Sequence, residues 1–135
     1  MIDVTRDVFK LAQVFTISRG SRSEARVLTV RVTRDGVTGW GECVPYARYG
    51  ETLESVEREI IGLPADISRT ALQEALPPGA ARNAVDCALW DLDAKQSGRR
   101  VWDLAGLPEP GPEVTAYTLS LDTPDAMQEQ AAKNA

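Results

Sequence analysis

Alternation dominates the first half of the chain. Leu28, Val30 and Val32 are separated by Thr29, Arg31 and Thr33, the two-residue period of a strand with one covered face. Asp35-Gly36 follows as a hairpin turn, because glycine takes a positive φ without steric penalty. Val37 to Glu42 reads as the return strand, in which Gly39 and Gly41 leave room for a close neighbour. Upstream, "IDVTRDVF" is a candidate first strand and "FTI" the end of a second, which leaves Arg19 and Arg22 in a loop between strands. Gly20 lets that loop move or turn sharply.

After "PYARYGE" the period lengthens. Thr52 stands at an N-cap position with Ser55 three places on, and Leu53, Val56, Ile60 and Ile61 recur at helical spacing before Pro64. "SRTALQEAL" predicts a shorter helix, ended by Pro77-Pro78-Gly79. "AARNAVDCALWDLDAKQSG" predicts the strongest one: Ala81, Ala84, Val85, Ala88, Leu89 and Leu92 share a face, Cys87 and Trp90 extend it, and Gly98 is placed as the C-cap residue. So broad an apolar face needs neighbours on more than one side. "VWDLAG" predicts one further helical turn, and "EVTAYTLSL" a new strand set off by "PEPGP" and "DTP". A last helix, capped by Asp122 or Thr123, runs to Ala135. A lone strand and helix after an α+β unit form half of a βα repeat, so either the strand joins the N-terminal sheet or, as expected here, the chain is cut from something longer.

Composition narrows the function classes. With 135 residues, 43% apolar and 26% charged, the chain is of single-domain size. A net charge of -5, with Arg and Lys dispersed, argues against nucleic-acid binding. No run approaches the roughly 20 apolar residues that span a bilayer, and "MIDVTRDVF" does not read as a signal peptide, so no membrane association and a cytoplasmic location are expected. Cys43 and Cys87 lack CxxC spacing and are expected to be reduced and buried. Histidine is absent, so proton chemistry would fall to carboxylates, lysines or tyrosines.

Candidate chemistry is sparse. Glu42, Glu51, Glu54 and Glu57 lie close in sequence, but the last two share a helix with Arg58 and read as its solvated face, so no metal ligand is assigned. Tyr46 and Tyr49 flank Arg48 in a segment opened by Pro45, either as a loop packed by its own aromatics or as a ligand contact. In "TISRGSRSEA", Arg22 could grip a carboxylate through two parallel hydrogen bonds, as suits an anionic small substrate. The alternative is a solvated surface with Glu24 as ion-pair partner.

The segments "SRGSRSEARV", "GWGECVPYARYGE", "LPPGAARNAVDCALWDLDAK" and "TAYTLSLDTPDAM" closely resemble the N-terminal part of the dipeptide epimerases. These form the L-Ala-D/L-Glu epimerase group in the mandelate racemase and muconate lactonizing branch of the enolase superfamily. The resemblance covers nearly the whole chain. It implies an α+β capping domain over 1–111, a three-stranded antiparallel meander plus helices, followed over 112–135 by the first strand and helix of a truncated (β/α) barrel.

It also implies two mobile specificity loops. The first is Ile17 to Glu24, with Ile17, Ser18, Arg19 and Gly20, and the second is Pro45 to Glu51, with Arg48 and Tyr49. Arg22 matches the arginine that binds the substrate's acidic side chain, and Thr118 a position at the edge of the active site. The implied activity is 1,1-proton transfer on a small dipeptide, with Mg²⁺ as cofactor. Its catalytic lysines and metal ligands lie beyond this chain, and Lys95 and Lys133 match none of them. The resemblance leaves open a muconate cycloisomerase, an o-succinylbenzoate synthase or an N-acylamino acid racemase. From another class, a non-catalytic α+β interaction module stays open. An unpaired strand at Val114 to Leu121 leads to an expectation of self-association into a homo-oligomer, or of marginal stability, for the chain alone.

Overall fold

Three strands and five helices are built by the computed structural model, which describes residues 1–134. The strands β1 (Ile2–Ile17), β2 (Gly20–Arg34) and β3 (Val37–Cys43) form one sheet in the order β1-β2-β3. The helices are α1 (Leu53–Ile61), α2 (Arg69–Ala75), α3 (Ala80–Ser97), α4 (Val101–Leu104) and α5 (Pro124–Asn134), and a 3-10 turn covers Ala47–Tyr49. The α+β fold with a three-stranded antiparallel meander that the resemblance implies is therefore present. The helix expected to reach Ala135 is described to Asn134, and Ala135 lies outside the described residues.

Contacts divide the chain into two compact units. One comprises Met1–Asp7 and Arg26–Pro110, the other Val8–Ala25 and the residues from Gly111 on.

The first unit holds the apolar core. Leu28, Val30 and Val32 of β2 and Cys43 of β3 face Val56 and Ile60 of α1, Leu72 of α2, and Ala81, Ala84, Val85, Ala88, Leu89 and Leu92 of α3, all buried. Antiparallel pairing sets Val30 against Gly41 and Val32 against Gly39. The missing side chains matter, because α3 lies directly on β3: a Cβ on Gly41 would sit 2.0 Å from the Ala84 carbonyl oxygen, and one on Gly39 2.1 Å from that of Ala88. The Asp35-Gly36 turn takes positive φ at both residues, +50° and +77°, as a two-residue hairpin of matching twist requires.

The free edge of β3 is closed by α3. Asp91 Oδ2 accepts from the Trp40 amide at 2.8 Å, and Lys95 Nζ donates to the Thr38 carbonyl at 3.0 Å and to Asp91 at 2.6 Å. Side chains thus satisfy the outward backbone groups that would otherwise invite another strand. Capping is local in α1, where Thr52 and Ser55 form a reciprocal box, and in α2, where Ser68 caps the Ala71 amide. The α3 helix ends at Gly98 with φ +66°, as its sequence implies.

Four expectations need correction. Residues 2–17 form one continuous strand, not two, since the chain reverses only at Ser18-Arg19. The loop expected at Ile17 to Glu24 shrinks to that two-residue turn, so Arg22 lies on β2. The strand expected at Val114 to Leu121 is absent among the described residues: one backbone hydrogen bond, from the Leu121 amide to the Thr16 carbonyl at 2.8 Å, ties it down. A strand needs a ladder, and nothing else in the described chain supplies one. Cys87 is exposed, so the apolar face of α3 is narrower than its composition suggests, and only Cys43 is buried. Of the two caps considered for α5, Thr123 takes the part: its hydroxyl lies 3.4 Å from the Ala126 amide, and its carbonyl accepts from Met127 at 2.9 Å.

Candidate functional site

The two candidate specificity segments fall in different units. In the second unit, β1 turns into β2 through Ser18 and Arg19, and Gly20 absorbs the reversal with φ +142°, a conformation side chains rarely adopt. Thr16 and Ser21 hydroxyls meet across the hairpin at 2.8 Å. Arg22 places its guanidinium carbon 5.8 Å from the centroid of the Phe15 ring, in cation–π range, with the side chain otherwise open to solvent. Glu24, considered from sequence as its partner, is not without a partner. Arg19 and Thr118 are exposed, and Ile17 is half-buried at the end of β1.

Thr118 stands two residues before Ser120, the one buried polar residue of the described chain. Ser120 Oγ accepts from the Thr16 amide at 3.0 Å and donates to the Val14 carbonyl at 3.2 Å. Sequence reasoning passed over Ser120 and Phe15. Alternation gave Phe15 no special standing, and a serine in an apolar run carries no mark of its partner.

In the first unit, Pro45 to Glu51 borders a cavity of about 640 Å³ whose walls include Glu42, Cys43, Tyr46, Tyr49 and Asn83. The Tyr46 and Tyr49 rings pack at 5.7 Å between centroids, tilted by 55°, so the loop is stiffened by its own aromatics. Arg48 between them is exposed. Glu51 organises this wall: Oε2 accepts from the Tyr46 amide at 3.0 Å and Oε1 from the Ala80 amide at 2.7 Å.

The second of these bonds caps α3, whose own N-cap residue, Gly79, has no side chain. The signal was present in the sequence, since a long helix opening with Pro-Pro-Gly must borrow an acceptor. Its source, 29 residues upstream, was not legible. Burial, with the Glu51 and Glu42 charges, pushes the Cys43 thiol up to about 11, so it is no nucleophile.

Glu54 and Glu57 lie on the solvent side of α1, as expected, and are bridged there by Arg6 of β1, at 2.8 Å and 2.5 Å. The Glu54 carboxyl is held below the usual carboxylate range by its own backbone amide and then by Arg6. Among the described residues, no three His, Cys, Asp or Glu side chains converge on a point that could hold a metal ion. No helix among them is long and apolar enough to cross a membrane.

Residues 1–106 match the N-terminal domain of the mandelate racemase / muconate lactonizing enzyme family. The chain is 44% identical to the L-Ala-D/L-Glu epimerase of Escherichia coli strain K12, an alignment covering 97% of this chain and 42% of that protein. It is 48% identical over 97 residues to an N-acetyl-D-glutamate racemase of Pseudoalteromonas, covering 67% of this chain and 30% of that one. Its structure superposes with a TM-score of 0.90 on a solved enolase family member from Agrobacterium tumefaciens with homology to dipeptide epimerases, 48% identical, with bound sodium, L-Ala-L-Glu and an ordered loop; 98% of this chain and 42% of that one are covered. The chain spans about two fifths of the length of the epimerase and of the solved structure. The three-stranded sheet, the helices laid on it and the family match lead to one conclusion: the chain belongs to the mandelate racemase / muconate lactonizing enzyme family and carries its N-terminal domain.

Proposed function

We propose that this chain is the substrate-selecting part of a dipeptide epimerase acting on L-Ala-D/L-Glu-type dipeptides, in which Arg22 receives the distal carboxylate. The observation that carries this is Arg22 itself. It sits beside a tight turn, exposed, with its guanidinium over Phe15, in a chain 48% identical to a structure holding L-Ala-L-Glu. A guanidinium rested on a ring keeps its in-plane N–H groups free for bidentate pairing with a carboxylate. Ser18, Arg19 and Gly20 would shape the first specificity segment, and Arg48 and Tyr49 the second. Thr118 would lie at the rim, and in the full-length enzyme, where a neighbouring strand would complete the ladder that Val114 to Leu121 lacks here, residues 112–135 would form the first strand and helix of a barrel.

Mg²⁺, which the family resemblance implies, finds no donor set among the described residues, so no chemical step is assigned to this chain. Its own contribution is selection: binding the acidic side chain and walling the site from water.

The test is α-proton exchange. The full-length enzyme in deuterated buffer is expected to incorporate deuterium at the α-carbon of the glutamyl residue of L-Ala-L-Glu, as read by proton NMR. No incorporation with any acidic dipeptide would overturn the reading. A second reading, racemisation of an N-acylated glutamate, is favoured by the similarity to the N-acetyl-D-glutamate racemase. Faster exchange on N-acetylglutamate than on L-Ala-Glu would select it, and both readings need the same carboxylate grip.

A further inference from the structure

We infer that Ser120 is a positioning residue that sets the aim of Arg22, acting through Phe15. This rests on the reading of Arg22 as the group that receives the substrate's distal carboxylate.

The Ser120 hydroxyl spends both of its capacities on one short piece of β1. It accepts from the Thr16 amide and donates to the Val14 carbonyl, the two backbone groups flanking Phe15. The Leu121 amide adds a bond to the Thr16 carbonyl at 2.8 Å. Together the three bonds clip a segment of β1, an edge strand of the sheet, and Ser120, which supplies two of them, is only 6% exposed. Phe15 is the residue so clipped, and its ring is the surface on which the Arg22 guanidinium rests. The Thr16 hydroxyl continues the chain of contacts across the hairpin to Ser21, the neighbour of Arg22.

A serine suits this post for a chemical reason. A hydroxyl is donor and acceptor at once, so it can substitute for the missing peptide unit of a partner strand and satisfy an N–H and a C=O together. A purely apolar residue would leave both part-buried groups without this partner. The consequence reaches the substrate because an arginine that must meet a carboxylate with two hydrogen bonds tolerates little displacement, and misplacement of about 1 Å can cost up to ~100-fold in rate. Ser120 thus couples the segment that carries Thr118 to the specificity hairpin, and does so without touching the substrate.

The experiment compares Ser120→Ala and Ser120→Thr with Arg22→Ala in the full-length enzyme, using L-Ala-L-Glu and the apolar dipeptide L-Ala-L-Leu. Ser120→Ala is expected to lower kcat/KM on L-Ala-L-Glu about tenfold, mainly through KM, and to leave L-Ala-L-Leu within about twofold. Ser120→Thr, which keeps the hydroxyl, should restore the preference for the acidic substrate. A readout independent of turnover is hydrogen exchange at the Thr16 amide, which should accelerate in Ser120→Ala and not in Ser120→Thr. Equal losses on the two dipeptides in Ser120→Ala, with Arg22→Ala still selective, would overturn the positioning role alone. Unselective losses in Arg22→Ala would instead overturn the reading on which it rests.

Discussion

Two side chains carry the argument at the scale of residues. Arg22 is exposed beside a tight turn, with its guanidinium over the Phe15 ring. Arg22→Ala in the full-length enzyme is expected to lower kcat/KM on an L-Ala-Glu substrate by about 10 to 1000-fold, since losing a charge-assisted pair in a closed site costs roughly 2 to 4 kcal/mol. A dipeptide without an acidic side chain should lose much less, and steady-state kinetics on both substrates decide it. Glu51 works inward instead. Its carboxylate spans the Tyr46 and Ala80 amides, so one residue ties the cavity wall to the start of an 18-residue helix. Glu51→Ala removes a cap and leaves two amides without an acceptor, for an expected loss of about 1 to 2 kcal/mol in denaturant unfolding. The same variant should speed hydrogen exchange at Tyr46 and Ala80 while leaving the reciprocal Thr52–Ser55 box, and with it the start of α1, protected.

At the scale of elements, the contact of β3 with α3 decides the fold. Helices commonly pack on sheets through side chains on both partners, yet here two glycines bring β3 backbone against the Ala84 and Ala88 carbonyls. The gap has no room for a methyl group, and backbone on the other side cannot swing aside. Gly41→Ala is therefore expected to destabilise by about 1 to 3 kcal/mol, toward the upper end because the obstruction is a helix carbonyl. Gly36→Ala supplies the contrast: nothing lies within 4 Å of the added carbon there, and the cost comes from its φ of +77° alone. Equilibrium unfolding of both variants separates steric overlap from backbone strain. The same packing gives Lys95 a structural task, closing the β3 edge with Asp91.

For the whole molecule, stability should fall on the alkaline side. The Cys43 thiol is buried among apolar neighbours and near Glu51 and Glu42, which raises its pKa from about 9 to about 11 in the folded state. A raised folded pKa means that the unfolded chain loses its proton first. The stabilising contribution is thus fully present below pH 9 and drains away between 9 and about 11. Thermal unfolding from pH 7 to 11 should show a fall across that window that is shallower in Cys43→Ala, which keeps only the smaller contribution of Cys87, a thiol also raised by burial and by Asp86. Cys87, exposed on α3, should react with an alkylating reagent in the native protein while Cys43 stays protected.

What the sequence determined by itself was whatever depends on near neighbours. The alternation of Leu28, Val30 and Val32, the Asp35-Gly36 turn, the Thr52 and Ser68 caps and the apolar stripe of α3 were all legible, because each is fixed by spacing within a few residues. The glycines of β3 announced a close neighbour, though not which one. Tertiary structure decided the rest. Only folding showed that Arg22 lies on a strand over Phe15, that Glu51 caps a helix 29 residues on, and that Ser120 clips β1 from more than 100 residues away. It also decided that Val114 to Leu121, a strand by composition, is not one here. The physical reason is common to all of these: a hydrogen bond between distant residues leaves no periodic trace in the sequence, and a strand exists only where a partner's backbone completes its ladder.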